Sequence, residues 1–546
     1  MVEALERTAA TAHGGPINGA DAVVHALEAH GVDTVFGIPG VHTLALYDAL
    51  PGSTIRHILA RHEQGAGYMA DGYARASGKP GVTFIITGPG ITNVATAVGE
   101  AYTDGSPVLV VSANVEREYL DGMRGNLHDL KDQMGVMAAV TQWNTRVMRA
   151  SDAGPAVSEA FRRMNNGRRR PTHIELPLDV MDEPAGELHI TVAPTSPLAP
   201  DPAAIGDAVK RIAAAGKVVI YLGGGAVESA NPQAILDIAE RLGAPIIISV
   251  MGKGAAPEDH PLVIGDLWDP GSDVDAFITE ADLMLVVGSK LGAQATQMFH
   301  MKFPREMVRI DIDAEEMTRN ATPTCAIVGD AALSVAGIRD GLASAGVSKV
   351  SYPAARIAAV KAVATSTGWG SDRIPYVKAL RNAVPRDGIV AFDMTMMSYV
   401  SCRYYPAYEP RTFLFPSGYG TLGFSMPAAL GAKAACPDKA VVAVIGDGGY
   451  QFTMHELATA IQFGLNVPIV IFNDSTYTAV KDAQRRERGG RFQAVDLVNP
   501  DYVKLAEAYG IPSARPMTPE ALEEEIRKAL QRDTPTIIDT PIPGWV

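Results

Sequence analysis

The chain has 546 residues, 47% of them hydrophobic and 20% charged, with a formal net charge of −14 at pH 7. That length predicts about three or four domains, and the negative charge excludes a nucleic-acid surface, whose affinity comes from lysine and arginine neutralising phosphates. No apolar run approaches the roughly 20 residues that span a bilayer, the acidic start MVEALERTAATAHGG lacks the apolar core of a signal peptide, and Cys325, Cys402 and Cys436 fit neither a disulfide framework nor a metal-ligand spacing; the expectation is a cytoplasmic protein acting on small molecules, with no membrane partner.

After a tail at 1–16, Ala20, Val23, Val24 and Leu27 share one face of a helix that leads past Gly31 into a strand at 35–36, which the loop Gly37-Ile38-Pro39-Gly40-Val41-His42 ends. A strand at 55–59 precedes Arg61-His62-Glu63-Gln64-Gly65-Ala66, which opens a helix running through Ala74. Strands at 82–86, followed by Thr87-Gly88-Pro89-Gly90-Ile91-Thr92-Asn93, and at 108–111 and 173–176 complete a first domain over 17–183. Alternation of strands with helices predicts the α/β class, with a doubly wound parallel sheet in each domain. Prolines 194, 197, 200 and 202 mark a linker over 184–202. Strands at 218–222, 246–249, 283–287 and 308–312 define a central domain over 203–345. Gly223-Gly224-Gly225 after its first strand is half of a dinucleotide fingerprint, and tight turn packing explains it better. A second linker at 346–373 leads to a third domain, 374–546.

The stretch from Val441 to Val480 carries the strongest chemical pattern. A buried strand at 441–445 breaks at Gly446-Asp447-Gly448-Gly449, and a second strand at 467–472 stops at Asn473-Asp474. Between them, Thr453 and Glu456 fit a capping box for a helix through Leu457, Ala460, Ile461 and Gly464. Asp447 and Asp474 thus sit at the carboxyl ends of parallel strands, where two oxygen ligands could hold a small hard cation such as magnesium. Acids that merely cap turns are the alternative. Glu63 stands among small and apolar neighbours, where burial would raise its proton affinity.

Taken together, Arg61-His62-Glu63-Gln64-Gly65-Ala66, Thr87 to Asn93, Ser417-Gly418-Tyr419-Gly420-Thr421-Leu422-Gly423 and Gly446-Asp447-Gly448 resemble, in this order and over nearly the whole chain, the acetolactate synthase-like branch of thiamine diphosphate enzymes. The resemblance implies a pyrimidine-binding, a central and a diphosphate-binding domain, and a cofactor set of thiamine diphosphate and Mg2+. It implies an obligate homodimer, commonly a tetramer, with each site shared between subunits. It implies an enzyme that decarboxylates a 2-oxo acid and protonates the resulting carbanion or joins it to a second carbonyl. A lyase or acyltransferase acting without that decarboxylation, and a non-catalytic cofactor-binding subunit, are the alternatives.

By the same resemblance Glu63 activates the cofactor, and Asp447, Asp474 and the Thr476 carbonyl hold the metal. Pro39, Gly40, Asn93, Thr395, Met397, Gly420, Leu422, Gly446, Gly448, Gly449, Tyr477 and Thr478 fall at cofactor-contact positions, Leu422 under the bend of the cofactor. His42 and Gln133, with His128 and Asp132 nearby, lie in loops on the substrate side; a loop histidine is a proton donor near neutral pH or simply a turn residue. The chain departs from acetolactate synthases in several places. Asp474 replaces an Asn, Gln142 stands where a Lys is usual, and the segment from Gly288 to Gln294 lacks the flavin-contacting Arg, which disfavours FAD. The stretch DAQRRERGG from Asp482 replaces the usual Trp and Gln. FGIPGVHTLALYDAL, RHEQGAGYMADGYAR and LHDLKDQ are closer to relatives that decarboxylate larger 2-oxo acids, including 5-guanidino-2-oxopentanoate decarboxylases.

Overall fold

The structure, a computed structural model, describes residues 15–229, 231–266 and 271–542, so most of the tail at 1–16 lies outside the described residues. Among the described residues, no helix is long and apolar enough to cross a membrane. Three parallel six-stranded sheets follow one another along the chain. The first contains β1 (Thr34–Gly37), β2 (Arg56–Leu59), β3 (Gly81–Ile85), β4 (Val108–Asn114), β5 (Trp143–Arg146) and β6 (Thr172–Pro177), in the order β2-β1-β3-β4-β6-β5. The second contains β7 (Val218–Leu222), β8 (Ile246–Ile248), β9 (Val263–Gly265), β10 (Leu283–Val287), β11 (Glu306–Asp311) and β12 (Cys325–Val328), in the order β12-β11-β10-β7-β8-β9. The third contains β13 (Ile389–Phe392), β14 (Phe413–Leu414), β15 (Val441–Gly446), β16 (Pro468–Asn473), β17 (Ser513–Ala514) and β18 (Thr536–Pro541), in the order β14-β13-β15-β16-β18-β17. The inner strands are buried on both faces, as sheets covered by helices on each side require, and most are apolar runs, while β6 buries His173 and Glu175 and β11 buries Arg309.

The first and third sheets share a core. Tyr68 and Met69 of the helix Glu63–Ser77 pack with Ala428 and Leu430 of the helix Ser425–Ala435 and with Tyr450. The two helix backbones touch: a Cβ on Gly72 would lie 2.0 Å from the Ala428 carbonyl oxygen, and one on Gly431 would lie 1.8 Å from that of Met69. Glycine at both positions is what permits this approach. Arg75, on the first of these helices, pairs with Asp71 and Asp104, both buried, and donates to the Phe415 carbonyl of the third domain.

Two expectations are corrected. The stretch 346–373 is not bare linker: it contains the helix Ala354–Ala364, whose Ile357 and Val360 are buried with Tyr352 against Val219, Ile247 and Phe277 of the central domain. The capping box at Thr453 and Glu456 does not form. The helix starts at once after β15, as Asp447–Thr453, passes through a tight turn at Met454–Glu456 and continues as Leu457–Gln462. The Thr453 hydroxyl donates to the Gly423 carbonyl, and the Glu456 carboxylate is taken by amides of the first domain, so tertiary partners outcompete the local box.

In the central domain, Gly223 and Gly225 meet the backbone of Gly288 and Ser289 at 2.4–2.8 Å from an added Cβ. The glycines there serve close packing of the start of the helix Gly224–Ser229 against the bend that follows β10.

Candidate active site

Three strands of the third sheet that lie side by side each deliver an acid at their carboxyl ends: Asp393 after β13, Asp447 after β15 and Asp474 after β16. Ligands of open parallel sheets bind at such ends. A cavity of about 170 Å3 opens there. Its lining includes Thr395, Met397, Gly420, Leu422, Gly446, Asp447, Gly448, Gly449, Asp474, Thr476, Tyr477 and Thr478, so the third-domain residues singled out in the sequence come together around one space.

Asp447 is the first residue of its helix and is buried. Its Oδ2 accepts from Asn499 Nδ2 at 2.6 Å, and its carbonyl accepts from the Tyr502 hydroxyl at 3.2 Å. Burial pushes its carboxyl up to about 6; Asn499 opposes this and the charge of Asp474 adds to it. Asp474 is half-buried, accepts from the Thr478 hydroxyl, and is likewise pushed up, chiefly by burial. After it, Ser475 takes a left-handed φ of +56°, and Thr476 and Tyr477 are pinned to Val495 through the Thr476 hydroxyl and the Tyr477 amide. The Asp474 carboxylate raises the cost of ionising Asp447, and two acids so placed suit a hard cation.

The glycines are constrained by the protein itself. A Cβ on Gly446 would lie 2.6 Å from Thr395 Oγ1, one on Gly448 would lie 2.6 Å from the Tyr477 ring, and one on Gly449 would lie 2.8 Å from Asp393 Oδ1. Asp393 does not line the cavity, but its carboxylate accepts from the amides of Met394, Gly423 and Ser425 at 2.9–3.1 Å. It thereby fixes the turn that follows Leu422. From the other side, Glu100 of the first domain accepts from the amides of Tyr419 and Thr421 and from the Thr421 hydroxyl, while Asp104 accepts from the Ser417 amide. Burial, and then Asp104, pushes Glu100 up to about 8.

Burial likewise pushes the Asp393 carboxyl up to about 6 from an ordinary 3.8. The folded chain therefore holds this proton more tightly than the unfolded chain. The contribution is greatest below the unfolded value and is lost as pH rises through the folded one. Asp393→Asn is expected to flatten the fall in stability between about pH 4 and pH 6, read by urea unfolding at several pH values. An unchanged pH dependence would refute it.

The first-domain candidates form a second group. Glu63 is half-buried, not enclosed as expected, and its Oε2 accepts from Asn93 Nδ2 at 2.9 Å. It opens the helix Glu63–Ser77, which the His62 ring caps by accepting from the Gln64 amide. Pro39 is exposed, and Gly40 packs so closely that a Cβ would lie 2.2 Å from Ile86 Cδ1. His42 is buried, stands edge-on to His128 at 5.3 Å between ring centroids, and leaves Nδ1 without a hydrogen-bond partner. Burial, then His128, lowers its proton affinity, against a raising effect of Glu116.

Gln133 is fully engaged. Its Oε1 accepts from the Thr87 hydroxyl at 2.8 Å and the Gly88 amide at 3.0 Å, and its Nε2 donates to the Ala113 carbonyl and Glu175 Oε2, both at 2.8 Å. Asp132 caps the helix Gln133–Ala138 by accepting from the Gly135 amide. None of Pro39, Gly40, His42, Glu63, Asn93 and Gln133 lines the third-domain cavity.

Sequence reasoning missed Asp393, Glu100, Asn499 and Tyr502. Asp393 ends an apolar run just as Asp447 does, so the same signal marks it; Asn499 has no local signal.

Comparison with known proteins agrees with this layout. Residues 17–136 match the thiamine pyrophosphate enzyme N-terminal TPP binding domain, 205–338 the central domain and 393–540 the C-terminal TPP binding domain. The chain is 37% identical to a probable 2-ketoarginine decarboxylase, AruI, of Pseudomonas aeruginosa, over 95% of this chain and 93% of that protein. It is 33% identical to a probable acetolactate synthase large subunit of Methanocaldococcus jannaschii, covering 96% and 92% of the two chains. It is 32% identical to the acetolactate synthase isozyme 3 large subunit of Escherichia coli, covering 94% and 92%. With all three domains matched in order and the relatives aligned over almost their full length, the chain belongs to the thiamine pyrophosphate enzymes and is an enzyme of their acetolactate synthase-like branch.

Proposed function

We propose that this protein uses thiamine diphosphate and Mg2+ to release carbon dioxide from a 2-oxo acid and to pass the remaining fragment to a proton or to a second carbonyl compound. The observation that carries the proposal is the pair of carboxylates, Asp447 and Asp474, at one end of a cavity bordered by glycine backbone. When bound, the cofactor supplies an acidic carbon that adds to a carbonyl and accepts the electron pair left by departing carbon dioxide. Asp447, Asp474 and the Thr476 carbonyl would hold the metal. Gly446, Gly448 and Gly449 would admit the diphosphate, with Thr395, Met397, Gly420, Leu422, Tyr477 and Thr478 shaping the rest of the cavity.

Glu63, steadied by Asn93, would exchange a proton with the pyrimidine ring, and Pro39 and Gly40 would border that ring. His42 holds an unpartnered nitrogen in a buried position, which suits proton donation on the substrate side. Gln133, with its amide committed to Thr87, Gly88, Ser112, Ala113 and Glu175, acts as a positioning residue for the loop at 87–88.

Glu63 and the metal acids belong to separate groups within one chain. That separation, and the exposed apolar side chains Val41, Leu44, Tyr419, Phe452 and Val480 on both groups' flanks, supports a homodimer at least, with each site completed by a partner copy. Similarity to both a probable 2-ketoarginine decarboxylase and acetolactate synthases supports decarboxylation over a lyase reaction that spares the carboxylate. Carbon dioxide release across a panel of 2-oxo acids from pyruvate to guanidino-bearing chains, with products identified by mass, tests the proposal. Cleavage of 2-hydroxy ketones with no carbon dioxide from any 2-oxo acid would overturn it.

A further inference from the structure

The start of the helix that presents Glu63 is held by a carboxylate from another domain. Glu456 is completely buried. Its Oε1 accepts from the amides of Arg61 and His62, each at 3.0 Å, and its Oε2 accepts from the Arg61 amide at 3.1 Å. Thr459 closes the arrangement: its hydroxyl lies 2.7 Å from Glu456 Oε2 and 3.0 Å from the Leu59 carbonyl at the end of β2. Gly65, on the first turn of the helix, leaves the room this requires, since a Cβ there would lie 2.2 Å from Glu456 Oε1. The backbone from Leu59 to His62 is thus fixed from the third domain immediately before Glu63.

Glu456 lies at the far end of the segment that begins at Asp447, and its geometry is anchored on the way, where the Thr453 hydroxyl donates to the Gly423 carbonyl. Burial pushes its carboxyl up to about 7, against the pull of the Thr459 hydroxyl and the Arg61 and His62 amides. A buried carboxylate at such a cost is more than a surface cap needs, because a solvated Ser, Thr or Asp satisfies helix amides without it.

We infer that Glu456 is a positioning residue for Glu63: it sets the direction in which the Glu63 carboxylate leaves the helix and so controls how well that carboxylate meets the cofactor. This rests on the role proposed above for Glu63. With a site shared between two copies, the segment from Asp447 to Glu456 serves two centres at once. One end would hold the metal of its own cavity, and the other end would orient the carboxylate offered to the partner copy.

The test uses the full-length protein with Glu456→Gln, which keeps the volume but replaces one acceptor oxygen by a donor. Thr459→Val is a milder variant that remains readable if the first does not fold. Three quantities are measured: amide hydrogen exchange of the segment 59–66 in the cofactor-free protein, the affinity for thiamine diphosphate with Mg2+, and the rate at which the bound cofactor exchanges its thiazolium C2 proton with deuterium. For Glu456→Gln, faster amide exchange in 59–66 and a C2 exchange slowed by roughly 10–100-fold are expected, with cofactor affinity changed by less than about threefold. Thr459→Val shifts both rates in the same directions by less.

Either of two results would overturn the inference: C2 exchange at the wild-type rate in both variants, or a loss of cofactor affinity as large as the loss of exchange rate, which marks a purely structural role. The functional proposal fails separately, if the wild type binds the cofactor yet exchanges no C2 proton and Glu63→Gln changes nothing.

Discussion

Glu63→Gln is expected to lower cofactor-dependent turnover by roughly 10^2–10^4-fold, the range for removal of a positioned acid or base. The substitution preserves the volume and an oxygen that can go on accepting from Asn93 Nδ2, so the contact at 2.9 Å and the start of the helix survive. What is lost is the ability to carry a proton. Another explanation of an acid in this place is an interaction with the helix dipole, and its magnitude separates the two. A carboxylate in a first helical turn contributes about 0.3–1 kcal/mol to stability and nothing to the chemical step. Carbon dioxide release and C2 proton exchange should therefore collapse together in Glu63→Gln while the unfolding midpoint barely moves. Full turnover with a lowered midpoint would leave Glu63 as a helix-stabilising acid only.

How far the chain declares itself varies from residue to residue. Asp447 and Asp474 are legible because each ends an apolar run, and an apolar run ending in glycine or asparagine is locally sufficient to place an acid at a strand end. The lining of the cavity follows from that placement, since Gly446 to Gly449 and Thr476 to Thr478 are chain neighbours of the two acids. Glu456 is legible as an acid near a helix start but not in its role. The spacing from Thr453 fits a capping box equally well, and only the approach of the first domain decides between a local and a distant partner. The helix Ala354–Ala364 escapes detection because its buried contribution rests on two apolar side chains, Ile357 and Val360, in an alanine-rich run. Asn499 meets Asp447 only through the folding of the third domain, and no periodicity connects the two. Gln133 shows the converse: its place at a loop is legible, but its hydrogen bonds to Thr87, Gly88, Ser112, Ala113 and Glu175 come from three separate strands or strand ends.

Asp447→Asn is the variant expected to separate stability from function most sharply. The folded chain encloses Asp447 beside a second acid, and burying an ionised carboxylate without a cation is unfavourable. Without metal, therefore, the asparagine should leave stability unchanged or higher. With metal the sign reverses, because the charge that burdens the empty fold is the one a hard cation needs. Loss of a group that merely supports a metal ligand costs about 10–100-fold in metal affinity, and Asn499→Ala, which removes the donor at 2.6 Å from Asp447, should fall in that range. Asp447→Asn should exceed it. The measurements are urea unfolding of the metal-free protein and calorimetric titration of thiamine diphosphate over a series of magnesium concentrations. A variant that bound the cofactor with unchanged magnesium dependence would remove Asp447 from the metal site, whatever its effect on stability. Stability lost without metal would show instead that the Asn499 donor already compensates the carboxylate in full, and the two acids would then need no cation between them.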